Sequence, residues 1–397
     1  MRQTSPAVEP TPVAAGAAQA AAAHARDLRL DFFRGLSLFF IFIDHIPENI
    51  LSYFTLHSIA FCDAAEIFIF ISGYTAALVY GASLRRNGAL LAVAQVYRRV
   101  WQLYVAHVFL FVIFVAEVSY TLIAVQSPMY TEELGVGDFL NEPHIAVIRA
   151  LMLQFQPPFL DILPLYIVLL GTFPLVLLAL EASPWLTCLA SAALYALTLK
   201  RGFALHTYPA HHAWFFNPLA WQFLFVIGAT CGHARVRGII PLPIPRWVGR
   251  GAVALAACVT LISLTWAAHW WYDPFPPLFL PLWNETLDKT NLAPLRLLSF
   301  LALALATLQF VHRDSRFLAG RWARPVIMCG QNSLYIFCLG IVLSVLGHFA
   351  LGETESRISM QIAVNVIGIA LMIGVAAVLQ WFKSASRRSS GRPAASE

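Results

Sequence analysis

The stretch from Arg29 to His45, RLDFFRGLSLFFIFIDH, decides how this chain is read. It is apolar enough to enter a bilayer, yet it carries Arg29, Asp31, Arg34, Asp44 and His45. The run from His57 to Tyr74, HSIAFCDAAEIFIFISGY, adds Asp63 and Glu66. Ionisable groups in such runs are costly, so each is a functional candidate by default. Residues eleven apart on an α-helix differ by about 20° in direction and about 16 Å in height, which places Arg34 and His45 on one face. A cation then sits near one membrane surface and an imidazole well inside. If the first helix ends near Leu51 and the second starts near Ser58, His45 lies about 9 Å and Glu66 about 12 Å from the same surface, within mutual reach.

The rest of the sequence agrees with a membrane setting. Hydrophobic residues make up 59% and charged residues 12%, against about 25% charged in an ordinary soluble domain; mean hydropathy is +0.69. The expected fold is an all-α integral membrane protein, a single bundle of about ten transmembrane helices. Apolar windows fall near 33–51, 58–81, 100–125, 160–181, 184–200, 214–234, 248–271, 293–312, 326–350 and 358–382, each long enough for a bilayer about 30 Å thick. Clusters such as Arg85/Arg86/Arg98/Arg99, Arg235/Arg237/Arg246/Arg250 and Arg313/Arg316/Arg321/Arg324 fall between alternate windows. By the positive-inside rule that puts both termini in the cytoplasm. Lys200, Arg201, Lys289 and Arg357 stand on the other side as exceptions.

The net charge of +5 is spread over these short clusters rather than gathered in a stripe, so nucleic acid is not an expected partner. The six cysteines lie in apolar segments without a CxxC pair, and no metal site is expected. Residues 1–27 read as a disordered cytoplasmic tail, 28–382 as the transmembrane domain and 383–397 as a second, basic tail.

Each candidate has a plain structural reading beside the chemical one. Arg34 suits a snorkelling interface residue, or, with Arg98 and Arg99 of VYRRVWQLY, a cationic mouth for an anionic donor such as coenzyme A. His45 lies too deep for an interface anchor; it either makes structural hydrogen bonds or works as an acid and base near neutrality. Asp44 points about 100° away from His45, which makes Glu66 the better carboxylate to orient the imidazole and leaves Asp44 for His107 or His348. Ser72 and Gly73 read as helix-packing residues. The prolines in LQFQPPFLDILPLY break the helix before Tyr166, and irregular backbone at membrane depth is tolerated only where it is buried in protein or lines a wet cavity, which suits a short re-entrant or interfacial piece. The connections around His206, Tyr208, His211, His212 and Trp214, and WWYDPFPPLFLPLWNET from Trp270 to Thr286, suit interface anchors or platforms for sugar rings.

With these motifs in hand, a resemblance emerges. Arg34 and His45 within RLDFFRG...DH, followed by FIFISGY, YRRVWQLY and a late GQNSLYIF, are similar to the membrane-bound acyltransferase-3 superfamily. More closely, DFFRGLSLFFIFIDH, LDILPLY and FNPLAWQFLF resemble the OpgC family of succinyltransferases acting on osmoregulated periplasmic glucans. That resemblance implies an enzyme of the bacterial inner membrane that moves an acyl group from cytoplasmic acyl-CoA, a substrate and not a bound cofactor, to a carbohydrate outside. It implies His45 as the essential histidine and Arg34 as its motif partner; Glu66 and Asp44 join His45 as catalytic candidates on the reading of the helices given above. Arg34, Arg98 and Arg99 fall on the donor side, and Trp214, Trp221, Gln222 and Asp161 are candidates on the acceptor side. The late motif departs from the superfamily pattern, which bears on Tyr335 and His348. A succinyl group needs one further cation, for which Arg149, Arg201 and Arg296 are candidates. Acetylation of another surface polysaccharide, a proton-coupled transporter using Asp44, His45 and Glu66, and a non-catalytic scaffold are the competing readings.

Overall fold

The computed structural model describes residues 27–125, 137–209, 213–239, 245–271, 286–354 and 356–389. His211, His212, Glu132, Glu133, most of the loop from Trp270 to Thr286 and nearly all of the N-terminal tail lie outside the described residues. The described chain is helical apart from an isolated bridge between His206 and Ala213. The helices are α1 (Leu28–Asp44), α2 (Leu56–Ile59), α3 (Ala64–Asn87), α4 (Ala89–Val125), α5 (Gly137–Asn141), α6 (Pro143–Leu151) and α7 (Ile162–Ala182). They continue as α8 (Pro184–Arg201), α9 (Pro218–Val236), α10 (Arg246–Trp271), α11 (Pro294–Phe310), α12 (Ala323–Gln331), α13 (Ser333–Gly352) and α14 (Ile358–Ser389).

Six of them, α3, α4, α7, α10, α13 and α14, are long and apolar enough to cross a membrane. The other four expected windows hold α1 and α11, of 17 residues each, and the less apolar α8 and α9.

Local chemistry moves several boundaries. Helix α1 stops at Asp44, not near Leu51, because Pro47 follows; proline removes a donor and clashes with the preceding turn. A 3-10 turn, Ile50–Phe54, and the short α2 follow, and the second long helix opens six residues later than expected, at Ala64. Its start is fixed by a capping box: Asp63 accepts from the Ala65 amide at 2.8 Å and Glu66 accepts from the Asp63 amide at 2.9 Å, so two free helix-end donors are satisfied reciprocally. The ninth window is broken at Asn332 into α12 and α13. At the C-terminus α14 runs to Ser389, with Lys383 bonded to Asn332 at 2.6 Å. The segment read as a tail from residue 383 is therefore helical at its beginning.

Two crossings set the spacing of the bundle. Helix α1 passes α12 where a Cβ on Gly35 would overlap the Val326 carbonyl and one on Gly330 would overlap that of Asp31. Helix α3 passes α9 in the same way, Gly73 against Phe225 and Gly228 against Phe70. Without lipid-excluding hydrophobic force between helices, such close backbone approach is what holds them. Gly35→Val is expected to cost about 1–3 kcal/mol or more through overpacking, read as a lower unfolding midpoint in detergent. Gly171→Val, with open space at its Cβ, is the control and should change the midpoint little.

The turn after α1 is pinned by side-chain amides. Asn49 donates to the Ile43 carbonyl and to Asn365 Oδ1, both at 3.1 Å, and Asn365 donates back at 2.9 Å. Gln361 accepts from the Ile50 amide at 2.8 Å. These bonds tie the segment bearing His45 to α14.

Candidate active site

His45 is the residue that ends α1, and its own amide closes the last turn onto the Ile41 carbonyl at 3.1 Å. Its ring Nδ1 lies 2.5 Å from the same oxygen. A carbonyl can only accept, so Nδ1 carries the proton and Nε2 is left with its lone pair. The ring meets Phe159 edge-on at 5.2 Å. Phe159 has φ 76°, a left-handed conformation that is costly for an aromatic residue and persists where the surroundings impose it.

His45 borders a cavity of about 510 Å3. The irregular segment between α6 and α7 supplies one wall with Gln156, Pro158, Phe159 and Asp161; Ile41, Ala65, Phe215 and Phe216 add apolar surface, and Asp44, His57, Asp63 and Lys289 the remaining ionisable groups. Of the two settings open to the proline-rich segment, burial in protein or the wall of a cavity, the residues Gln156 to Asp161 take part in the second, and Asp161 stands in the same chamber as His45. Gln156 donates to the Leu153 carbonyl at 2.8 Å, and its buried Oε1 has no partner among the described residues.

Glu66 does not orient His45. Its Oε1 accepts from Arg296 Nε at 2.8 Å and lies 2.7 Å from Nη2, while Oε2 is taken by the Asp63 amide. Because α3 starts at Ala64, Glu66 belongs to the first turn of that helix and faces its own cap. Asp44 pairs with neither His107 nor His348; Thr55 donates to its Oδ1 at 2.6 Å. Arg296 also reaches Asp63 at 3.2 Å, and Lys289 Nζ meets Asp63 Oδ2 at 2.7 Å. Two carboxylates and two cations thus form a charge-balanced network on one side of the cavity, buried at Asp63, Glu66 and Arg296 and half-buried at Lys289, which is held over the Phe215 and Phe216 rings at 5.7 and 5.3 Å.

The remaining acceptor-side candidates are packing groups. Trp214 is buried, and Trp221 is fully buried with Nε1 donating to the Lys289 and Thr290 carbonyls at 3.1 and 3.2 Å. Trp221 therefore fixes the turn that presents Lys289. Gln222 is spent on Ser191, accepting from its hydroxyl at 2.6 Å and donating to its carbonyl at 3.0 Å. The aromatic walls are instead Phe159, Phe215 and Phe216.

Arg34 and Arg99 border a second cavity, of about 190 Å3, together with Ser72, Thr75, Tyr80 and Tyr166. Arg34 donates to Thr75 Oγ1 at 2.9 Å, and Arg99 to Gln102 at 3.2 Å. Arg98 is exposed and is absent from this lining. The two cavities share no lining residue. On α1 Arg34 faces one and Ile41 the other, with buried Leu38 between them; on α3 the divide falls between Ala65 and Phe68. Phe68 packs against Tyr166 at 6.0 Å and Phe337 at 6.2 Å. The interval is three residues on α3, a rise of about 4.5 Å, and seven on α1, a rise of about 10 Å.

Lys289, His57 and Phe159 escape a reading by motif. The clue to Lys289 was its place among the few basic residues on the side that disfavours them. Among the described residues no group of three His, Cys, Asp or Glu is arranged to hold a metal ion.

A polytopic helical protein with a histidine chamber and an arginine chamber set end to end is the class that fold and site define. The chain belongs to the OpgC family: the family described as OpgC protein matches residues 26–384, and membership points to a membrane acyltransferase. No curated protein and no solved structure matches the chain significantly.

Proposed function

We propose that the protein is an O-acyltransferase of the bacterial inner membrane, related to the acyltransferase-3 superfamily, with ten membrane-embedded helices and both termini cytoplasmic. It takes an acyl group, succinyl, from cytoplasmic acyl-CoA and places it on a hydroxyl of a periplasmic glucan. The observation that carries this reading is the His45 ring, held as the Nδ1–H tautomer and bordering a cavity of carboxylates and aromatic rings, while Arg34 of the same helix, with Arg99, borders a second cavity.

In this mechanism the arginines hold the anionic donor from the inner side. Nε2 of His45 removes the proton from a sugar hydroxyl as its oxygen attacks the thioester carbonyl, and the proton then passes to the departing thiolate, giving an ester and free coenzyme A. The same tautomer serves a two-step route, in which Nε2 first takes the acyl group and the sugar hydroxyl then captures it. Asp161, Asp44 and Gln156 Oε1, which has no partner among the described residues, offer acceptors for sugar hydroxyls, with the phenylalanine rings as apolar faces. For the cation that a succinyl carboxylate calls for, Lys289 is preferred by position: it borders the His45 cavity, where it is paired with Asp63, whereas Arg149 and Arg296 are absent from that lining. Proton relay through Asp44, His45 and Glu66 loses its last link in the Glu66–Arg296 pairing.

The test is reconstitution in lipid vesicles with radiolabelled succinyl-CoA and periplasmic glucan. Ester label on the glucan supports the proposal, and the ratio to acetyl-CoA identifies the acyl group; no transfer from either donor to glucan overturns it. Arg34→Ala is expected to raise KM for acyl-CoA about 10- to 100-fold, corresponding to loss of a charge-assisted hydrogen bond, with kcat changed less. Initial rates over a donor series check it.

A further inference from the structure

Beyond the His45 cavity lies a recess of about 220 Å3 between α10 and the turn that follows α1, bordered by Ser52, Tyr53, His57, Ser58, Ser263 and Trp266. His57 also borders the His45 cavity and an open depression of about 570 Å3 that shares Asp44, Ser52 and Tyr53. The three spaces therefore meet at one imidazole.

The lining has a definite chemistry. It contains hydroxyls, two aromatic side chains and an imidazole, and no Lys, Arg, Asp or Glu. That set suits a neutral polyhydroxyl ring, with its apolar faces against aromatics and its oxygens toward hydroxyls, and it brings no Lys or Arg to balance the charge of a phosphate or a carboxylate. Trp266 is held rigid by stacking on Phe61 at 5.1 Å and 17°. Ser263 gives an independent sign of a missing ligand: its hydroxyl is buried and has no hydrogen-bond partner among the described residues, although helical serines ordinarily bond back to the preceding turn. Buried polar groups of native proteins are satisfied, and one left open beside a recess calls for an explanation.

We infer that the recess is a second carbohydrate subsite, which holds a neighbouring unit of the acceptor chain while another unit meets His45. This rests on the acyltransfer reading above and extends it: the acceptor is recognised as a chain and not as a single sugar. His57, standing where the spaces join, bridges the two units by hydrogen bonds.

The experiment compares glucose with linear β-glucan oligosaccharides of two to six units as acceptors, using the full-length protein in vesicles with saturating acyl-CoA. The wild type is expected to show a lower KM for oligosaccharides than for glucose. Ser263→Val and Tyr53→Ala are expected to raise KM for the oligosaccharides about two- to tenfold, the range of one or two lost hydrogen bonds, and to leave glucose kinetics and the KM for acyl-CoA unchanged. Ser263→Thr, which keeps the hydroxyl, is expected to retain the chain preference. Equal effects on glucose and oligosaccharides, or a wild type indifferent to chain length, overturn the subsite. Loss of transfer to every carbohydrate in the wild type marks failure of the acyltransfer reading itself, and is told apart by its independence of these variants.

Discussion

Replacing His45 by alanine is expected to lower acyl transfer by about 10²- to 10⁴-fold, the range contributed by a positioned acid–base group, with the protein still present in the membrane at wild-type abundance. The second half of that expectation comes from the local structure. The Ile41 carbonyl that the ring engages also receives the backbone amide of residue 45 at 3.1 Å, so removing the ring leaves that acceptor satisfied and the helix end closed. The turn itself is fixed by Asn49, Asn365 and Gln361, none of which touches the imidazole. The measurement is transfer from labelled acyl-CoA alongside a blot of the membrane fraction. Activity and abundance falling together would assign His45 to the scaffold instead.

The largest effect on stability is expected at Arg296. Its guanidinium answers both Glu66 and Asp63 in a buried setting. Removing one partner of such a network leaves uncompensated charge and costs about 3–5 kcal/mol, whereas exchanging the whole group for apolar residues is often neutral. Arg296→Ala should therefore sharply reduce the folded fraction in thermal unfolding of the detergent-solubilised protein. Arg296→Met combined with Glu66→Gln should recover much of the loss. A single variant as stable as the wild type would mean that water already reaches these carboxylates.

Much of the architecture could be read from the sequence because hydropathy sets it. The ten apolar windows fall on helical chain, six of whose helices are long and apolar enough to cross a membrane, and Arg34 on α1 and His45 at its end border the two cavities. What failed was the end of that helix. Pro47 and the capping residues of DAAE, from Asp63 to Glu66, were both present in the letters, and together they move Glu66 away from His45. The Arg296 that claims it lies 230 residues further on. Lys289 and the Phe215–Phe216 pair are equally remote, and a pairing of that kind leaves no periodic trace in the chain. Trp221 was singled out for its residue type, which draws attention to an indole without saying whether it faces a ligand or a backbone carbonyl.

The apolar layer between the two cavities, with Leu38 of α1 and Phe68 of α3 in it, has an electrical consequence. With water on either side of it, a transmembrane voltage falls mainly across this dry layer instead of across the full width of the bilayer. An elementary charge that crosses it exchanges about 2.3 kcal/mol with the field per 100 mV. In the proposed orientation the cell interior is negative, so an acyl group bearing a carboxylate is drawn outward through the layer, and a neutral one feels no such pull. The membrane potential then acts as a second substrate for a charged acyl donor alone.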